Sequence, residues 1–265
     1  MTFFKQKNSY KIYDTHAHLN DERLFPKSNY YIKRAKEFGV KKINVIGYNS
    51  KGNKMAIKIA QKFPKEVKAI IGFQPEDSKH YNEDIENNLK IQLKDPSVVG
   101  IGEIGLDWHW PGYNVQEQIK AFKSQLKLSK EFNFPVMIHM RDSFKDIYEI
   151  LKRYNINRFQ LHSFSGNAKQ ALKLVDLGGY ISFSGLVTFK HTKEINQAAK
   201  AVPLQRLLVE TDSPFLAPVP KRGRINEPAF TKFVINHLAN LLKIDNTELA
   251  KITTHNSERL WKEKK

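Results

Sequence analysis

KIYDTHAHLND, residues 11–21, starts as a β-branched and aromatic run and ends in alternating histidines. A short apolar run of this kind reads as a strand, here over 11–15. Seven more follow: 41–47 (KKINVIG), 67–73 (VKAIIGF), 97–103 (SVVGIGE), 135–139 (PVMIH), 157–162 (NRFQLH), 179–183 (GYISF) and 206–211 (RLLVET). Longer amphipathic stretches separate them, near 28–38, 51–63, 81–93, 115–132, 143–153, 167–177, 190–200 and 227–242. The fourth carries Val115, Ile119, Phe122, Leu126 and Phe132 at roughly helical spacing. A final helix is expected near 246–261.

Strand and helix in alternation build a parallel sheet, and eight units in this length match an α/β fold, a single (β/α)8 TIM barrel with a C-terminal extra helix. The doubly wound open sheet is the rival. No strand is followed by GxGxxG or GxxxxGK[ST], which removes the two commonest nucleotide-binding reasons for an open sheet. The glycines of GIGEIG, 100–105, are read instead as a strand end where another backbone approaches closely. No composition break marks a second domain, so residues 1–265 are expected to form one.

The 265 residues are 40% apolar and 27% charged, an ordinary globular balance that disfavours repeat, collagenous and linker readings. Cysteine is absent, which excludes disulfides, thiolate metal sites and a cysteine nucleophile. Any metal must be held by His, Asp or Glu. Residues 1–14 show no apolar segment with a small-residue cleavage site, and no run of about 18 apolar residues occurs. A cytoplasmic protein without membrane or protein partner is therefore expected. The net charge of +17 favours polyanions such as nucleic acid. With 35 Lys against nine Arg, a compositional drift of the whole proteome accounts for the same balance.

His16 and His18 stand at the end of the first strand, where i, i+2 spacing aims both imidazoles at one interior space. Asp14 is placed to orient a ligand from behind. Comparable residues recur at other strand ends: Glu103, His139, His162 and Asp212. In a parallel barrel all those ends converge on one face, so residues from 16 to 212 would meet in one cup. Taken singly, each has a plain structural alternative: a core histidine, an ion-pair partner, or an N-cap before Pro214. Taken together, four His and two carboxylates form an inventory for two divalent ions, whose charge offsets the cost of burying carboxylates.

The segments DTHAHL, GEIGLD, FPVMIHMRD, LHSFSG, LLVETDSPFLAP and INEP, in this order, resemble the TatD family of metal-dependent deoxyribonucleases within the amidohydrolase superfamily, over about residues 10–260. The resemblance implies two ions held by His16, His18, Glu103, His139, His162 and Asp212, and hydrolysis of DNA. It places His16, His18 and Asp212 on one ion and His139 and His162 on the other, with Glu103 bridging. Arg141 matches the family's HxR pattern and suits a forked contact with phosphate. A rim ion pair with Asp142 or Asp107 is the other role open to it. The chain departs from the family at GFQP, where Gln74 replaces the His of GxHP and cannot act as a cationic phosphate contact or proton donor.

Trp108 and Trp110, in DWHW, suit either stacking on a base or packing at the barrel rim. Lys221, Arg222 and Arg224 follow the eighth strand, on the expected metal face, either gripping phosphates or forming a solvated basic loop. His80, His109, His191, His237 and His255 receive no role, although His109 is near enough in sequence to reach the mouth. The resulting expectation is a deoxyribonuclease with Asp212 as general base, trimming single strands from the 3′ end as the resemblance implies. Glu103 and Arg141 would stabilise charge beside it. Imidazole-rich ligation suits Zn or Mn, whereas the resemblance implies Mg. Two other classes compete: a hydrolase of another ester, amide or lactone, and a non-catalytic basic nucleic-acid-binding protein.

Overall fold

The computed structural model describes residues 11–112 and 114–262. The first ten residues of the opening segment, and the ends of the 1–265 domain, lie outside the described residues. The strands are β1 (Ile12–Ala17), β2 (Val40–Ile46), β3 (Val67–Ile71), β4 (Val98–Asp107), β5 (Val136–Arg141), β6 (Phe159–Leu161), β7 (Tyr180–Phe183) and β8 (Leu207–Val209). They form one parallel sheet in chain order. β8 returns to β1 through a parallel bridge between Ala17 and Ser213 and through hydrogen bonds from His18 N to Ser213 O (2.7 Å) and Asp212 N to His16 O (2.9 Å). The sheet is thus a nearly closed TIM barrel.

Helices fill the connections: α1 (Ser28–Glu37), α2 (Ser50–Lys62), α3 (Glu83–Gln92), α4 (Val115–Glu131), α5 (Phe144–Arg153), α6 (Ala168–Asp176), α7 (Lys193–Ala201) and α8 (Thr231–Leu242). The extra helix α9 (Asn246–Leu260) follows. Several start on an asparagine whose side chain accepts orphan backbone N–H groups: Asn49 from Gly52, Asn82 from Ile85, and Asn167 from Gln170 in a reciprocal capping box. Two helices begin later than the apolar period suggests. His191 at φ 66° delays α7, and a short 3-10 turn over Pro228–Phe230 delays α8.

Strand alternation separates two apolar layers. Val67, Ala69 and Ile71, Val136 and Ile138, and Leu207 and Val209 face the helices in the larger core. Ile70, Met137 and Leu208 turn inward to a smaller cluster with Ile46, Val99 and Tyr180, capped by Leu260 and Trp261 at the end of α9. The glycines of GIGEIG do serve close approach. A Cβ on Gly102 would lie 2.4 Å from that of Met137, and one on Gly105 would lie 2.0 Å from the His139 carbonyl oxygen. Both have φ in the region that favours glycine, 156° and 148°. β4 can therefore run to Asp107, four residues beyond its expected end.

Candidate metal centre

All six expected ligands meet at one end of the barrel. β1 changes register between Asp14 and Ala17. The shift lets His16 and His18 both reach the centre, although Thr15 also points inward, bonding to the Val209 carbonyl (3.0 Å). His16 Nε2 and His18 Nε2 are 3.0 Å apart. Each lies 3.5–3.6 Å from Glu103 Oε2 and from Asp212 Oδ1. On the other side His139 Nδ1, His162 Nε2 and Glu103 Oε1 are separated by 2.9–3.1 Å. Glu103 thus turns one oxygen to each set of donors.

These spacings suit donors sharing an ion at about 2.0–2.2 Å, and the ring nitrogens are set up for it. His18 Nδ1 donates to the Ile46 carbonyl (3.1 Å) and His139 Nε2 to Asp107 Oδ2 (2.9 Å), leaving the opposite lone pairs aimed at the cluster. His16 Nδ1 is buried without a hydrogen bond. Groups of three donors able to hold a metal occur repeatedly: His16–His162–Asp212, His16–His18–Glu103, and Glu103–His139–His162.

The electrostatics show how strained this cluster is with protein groups alone. Burial opposes ionisation of Glu103, but the surrounding His162, His139 and His16 rings outweigh it and hold its carboxyl well below the usual range. Burial also opposes a charge on His139, yet Asp107 and Glu103 push it up to about 9. His162 is likewise driven well above the ordinary value, against burial, by Glu103 and Glu210. His16 is pushed well below by burial and by the charge of His162. Asp212 is held at φ 57°, a left-handed conformation Asp tolerates better than most residues.

A cavity of about 380 Å³ opens over the cluster, lined by His139, Arg141, His162 and Asp212 with Leu186 and Phe215 on its apolar wall. Both rim partners open to Arg141 are engaged elsewhere, Asp142 with His109 (3.2 Å) and Asp107 with His139. Among the described residues Arg141 makes no ion pair. Its guanidinium lies 5.3 Å from the ring centre of Trp110, which is 51% exposed.

Other expectations fare differently. Asp14 does not touch an imidazole; it accepts from Thr211 N (2.9 Å) and Thr211 Oγ1 (2.6 Å), tying the end of β8 to β1. Gln74 donates to Asp77 (3.1 Å), and Trp108 packs on the core while its Nε1–H donates to Asp146 (3.0 Å). Lys221, Arg222 and Arg224 are absent from the cavity lining. Lys221 lies over Phe230 and Phe233, and Arg222 lies 3.7 Å from the Phe189 ring centre while donating to the Ala217 carbonyl.

Sequence reasoning gave no site role to Asp107, Glu76 or Glu210. Asp107 and Glu76 make a further donor group with His139, and Glu210 Oε1 lies 3.5 Å from His162 Nδ1. Strand parity would have found two of them, since Asp107 is four residues beyond Glu103 and Glu210 two before Asp212.

Comparison with known proteins agrees with this geometry. The family described as TatD related DNase matches residues 13–262. The uncharacterized metal-dependent hydrolase YabD of Bacillus subtilis is 37% identical over 253 residues, covering 95% of this chain and 99% of that protein. YcfH of Escherichia coli K12, also named as an uncharacterized metal-dependent hydrolase, is 41% identical over 180 residues, covering 67% and 68%. The crystal structure of YJJV, a TatD homologue from Escherichia coli, superposes with a TM-score of 0.90 at 27% identity, covering 94% of this chain and 97% of that one. The chain belongs to the TatD family of metal-dependent hydrolases.

Proposed function

We propose that the protein is a deoxyribonuclease that hydrolyses phosphodiester bonds of single-stranded DNA, shortening it from the 3′ end. The observation that carries this reading is the split carboxylate of Glu103, one oxygen in each donor set, beneath a cavity lined by Asp212, His139, His162 and an Arg141 free of ion pairs among the described residues. His16, His18 and Asp212 would hold one ion and His139 and His162 the other, with Glu103 between them. Two divalent ions bound there supply Lewis acidity to phosphoryl oxygens and lower the pKa of water towards neutrality.

The chain's own residues do the rest. Asp212, at the edge of the cluster and on the cavity wall, takes the proton of the attacking water. Oxygen then attacks phosphorus in line, the P–O ester bond on the far side breaks, and the departing oxygen leaves with a proton that Asp212 can return. Arg141 presents forked N–H donors to the non-bridging oxygens as charge builds on them. Phe215, 47% exposed on the apolar wall, offers a face to the terminal base.

The test is a 5′-labelled DNA single strand incubated with protein loaded with Mg, Mn or Zn, beside an RNA strand and a panel of small esters, amides and lactones. A ladder of shortened DNA is expected. No nucleotide release with any of the three ions, alongside turnover of a small substrate, would assign the centre to another ester or amide.

A further inference from the structure

Glu210 is fully buried inside the barrel, and the chemistry proposed above makes no use of it. A carboxylate in such a place is costly unless donors surround it. Here Oε1 accepts from Ser163 N (2.7 Å) and lies 3.5 Å from His162 Nδ1, which has no hydrogen bond of its own. Oε2 accepts from Gln160 Nε2 (2.9 Å).

The chain of contacts continues away from the metal centre. Gln160 Nε2 also donates to Thr15 Oγ1 (2.8 Å), while Gln160 Oε1 accepts from Trp261 Nε1 (3.0 Å). This arrangement permits one orientation of the Gln160 amide, since reversing it would set its NH₂ against the indole N–H and its oxygen against two acceptors. Trp261 is itself locked in place: a Cβ on Gly100 would lie 2.5 Å from its ring.

We propose that Glu210 is a positioning residue for the metal centre, a strut that keeps the His162 proton on Nδ1 and its Nε2 lone pair on the ion, and that Gln160 anchors this strut to Trp261 beyond the end of α9. A carboxylate behind a metal-binding imidazole fixes both tautomer and ring angle. In this chain the carboxylate is held through the barrel interior by Trp261, by way of Gln160. The proposal rests on His162 being a ligand, as in the reading above, but not on DNA being the substrate.

The experiment uses the full chain and zinc as probe ion. Zinc affinity is measured by competition with a chromophoric chelator, and the ring nitrogens of His162 are followed by 15N NMR in the zinc-loaded protein. Glu210→Gln should weaken zinc binding about 10- to 100-fold and remove the protonated Nδ1 signal of His162. The exchange pair Glu210→Gln with Gln160→Glu restores the donor–acceptor match between the two side chains and at Trp261, with the Thr15 hydroxyl turning its proton from the Val209 carbonyl to the new carboxylate, and should recover most of the affinity.

Trp261→Phe keeps an aromatic ring in the interior cluster but removes the N–H with the pyrrole half of the indole, with an expected loss of about two- to tenfold. It also serves if Glu210→Gln does not fold. A parent that binds zinc, with Glu210→Gln or Trp261→Phe binding it equally tightly, overturns the strut while leaving the metal centre intact. Failure of the exchange pair to recover affinity overturns it as well. A parent that binds no zinc overturns both readings, whereas absence of DNA hydrolysis touches only the substrate assignment.

Discussion

The donor cluster and the basic loop after β8 were both expected on the metal face of the barrel, the loop either gripping phosphates or simply solvated, and their side chains are placed very differently. The cluster draws six residues from five strands or their ends, scattered from His16 to Asp212, into a space where donor atoms sit 2.9–3.6 Å apart. Lys221, Arg222 and Arg224 are neighbours in sequence, yet none lines the cavity, and two lie over aromatic rings. Barrel topology fixes where strand ends go, whatever their sequence separation. Nothing comparable fixes the direction of side chains in a loop. Sequence proximity was the poorer guide to spatial proximity.

Replacing Asp212, the proposed base, should show the contrast at its largest. Asp212→Asn is expected to lower turnover of a labelled DNA strand about 10²- to 10⁴-fold while some metal is retained, as measured by metal analysis of the purified variant. Turnover at the parent rate would remove Asp212 from that role. Next in size, stripping the ions with a chelator should lower unfolding free energy by about 3–4 kcal/mol at ion levels of 100 to 1,000 times Kd, read from denaturant melts. The same treatment should leave the stability increment of a loop variant unchanged.

Arg141→Ala should cost about 1.5–3 kcal/mol in kcat/KM, because a charged hydrogen-bond donor to the substrate is lost. Arg141→Lys should recover only part of it, since the fork is gone. Steady-state kinetics on a short oligonucleotide separates the two.

Asp14 gives a smaller and more distinctive signal. Burial pushes its carboxyl up to about 8, against the lowering effect of its bonds to Thr211. In the unfolded chain it ionises near ~3.9, so between those values the folded state binds the extra proton. Stability should then fall as pH rises from about 4 to about 8, by up to about 1.4 kcal/mol per pH unit from this group. Asp14→Asn should flatten that slope in melts of metal-free protein at pH 5, 6 and 7, and a slope unchanged by the substitution would contradict the buried proton. The smallest effect belongs to the loop. Arg224→Ala should reduce the salt dependence of DNA binding by a slope of about 1 at most, and Lys221→Ala and Arg222→Ala by less. A loss there as large as that of Arg141→Ala would invert the comparison.

Much of this was legible in the chain because strand and helix leave different local signals. Short β-branched apolar runs marked the strands, and the 3.6-residue period placed α4 at Val115–Glu131 against an expected 115–132. Their convergence followed from topology alone. Where the reading fell short, the cause was an interaction between distant residues. The length of β4 depends on how closely Gly102 and Gly105 approach β5. Asp14 looked like a partner for the neighbouring imidazole, but Thr211, 197 residues away, satisfies both its oxygens. Trp108 was read as a rim-packing residue ahead of a stacking one, and it packs on the core with its indole N–H tied by Asp146, a partner 38 residues away that the local sequence does not announce. The role of Gln160 has no local signature, since one glutamine in a strand looks like any other until Trp261 is folded beneath it.

The seam between the first strand and the last has a consequence for how the protein comes into being. His16 and His18 emerge early in synthesis, but Asp212 joins them only when the segment after β8 has been laid along β1. A nascent chain still on the ribosome, short of that segment, therefore carries an incomplete set of ligands. The timing of chain closure would itself keep a half-made hydrolase idle until its last strand is in place.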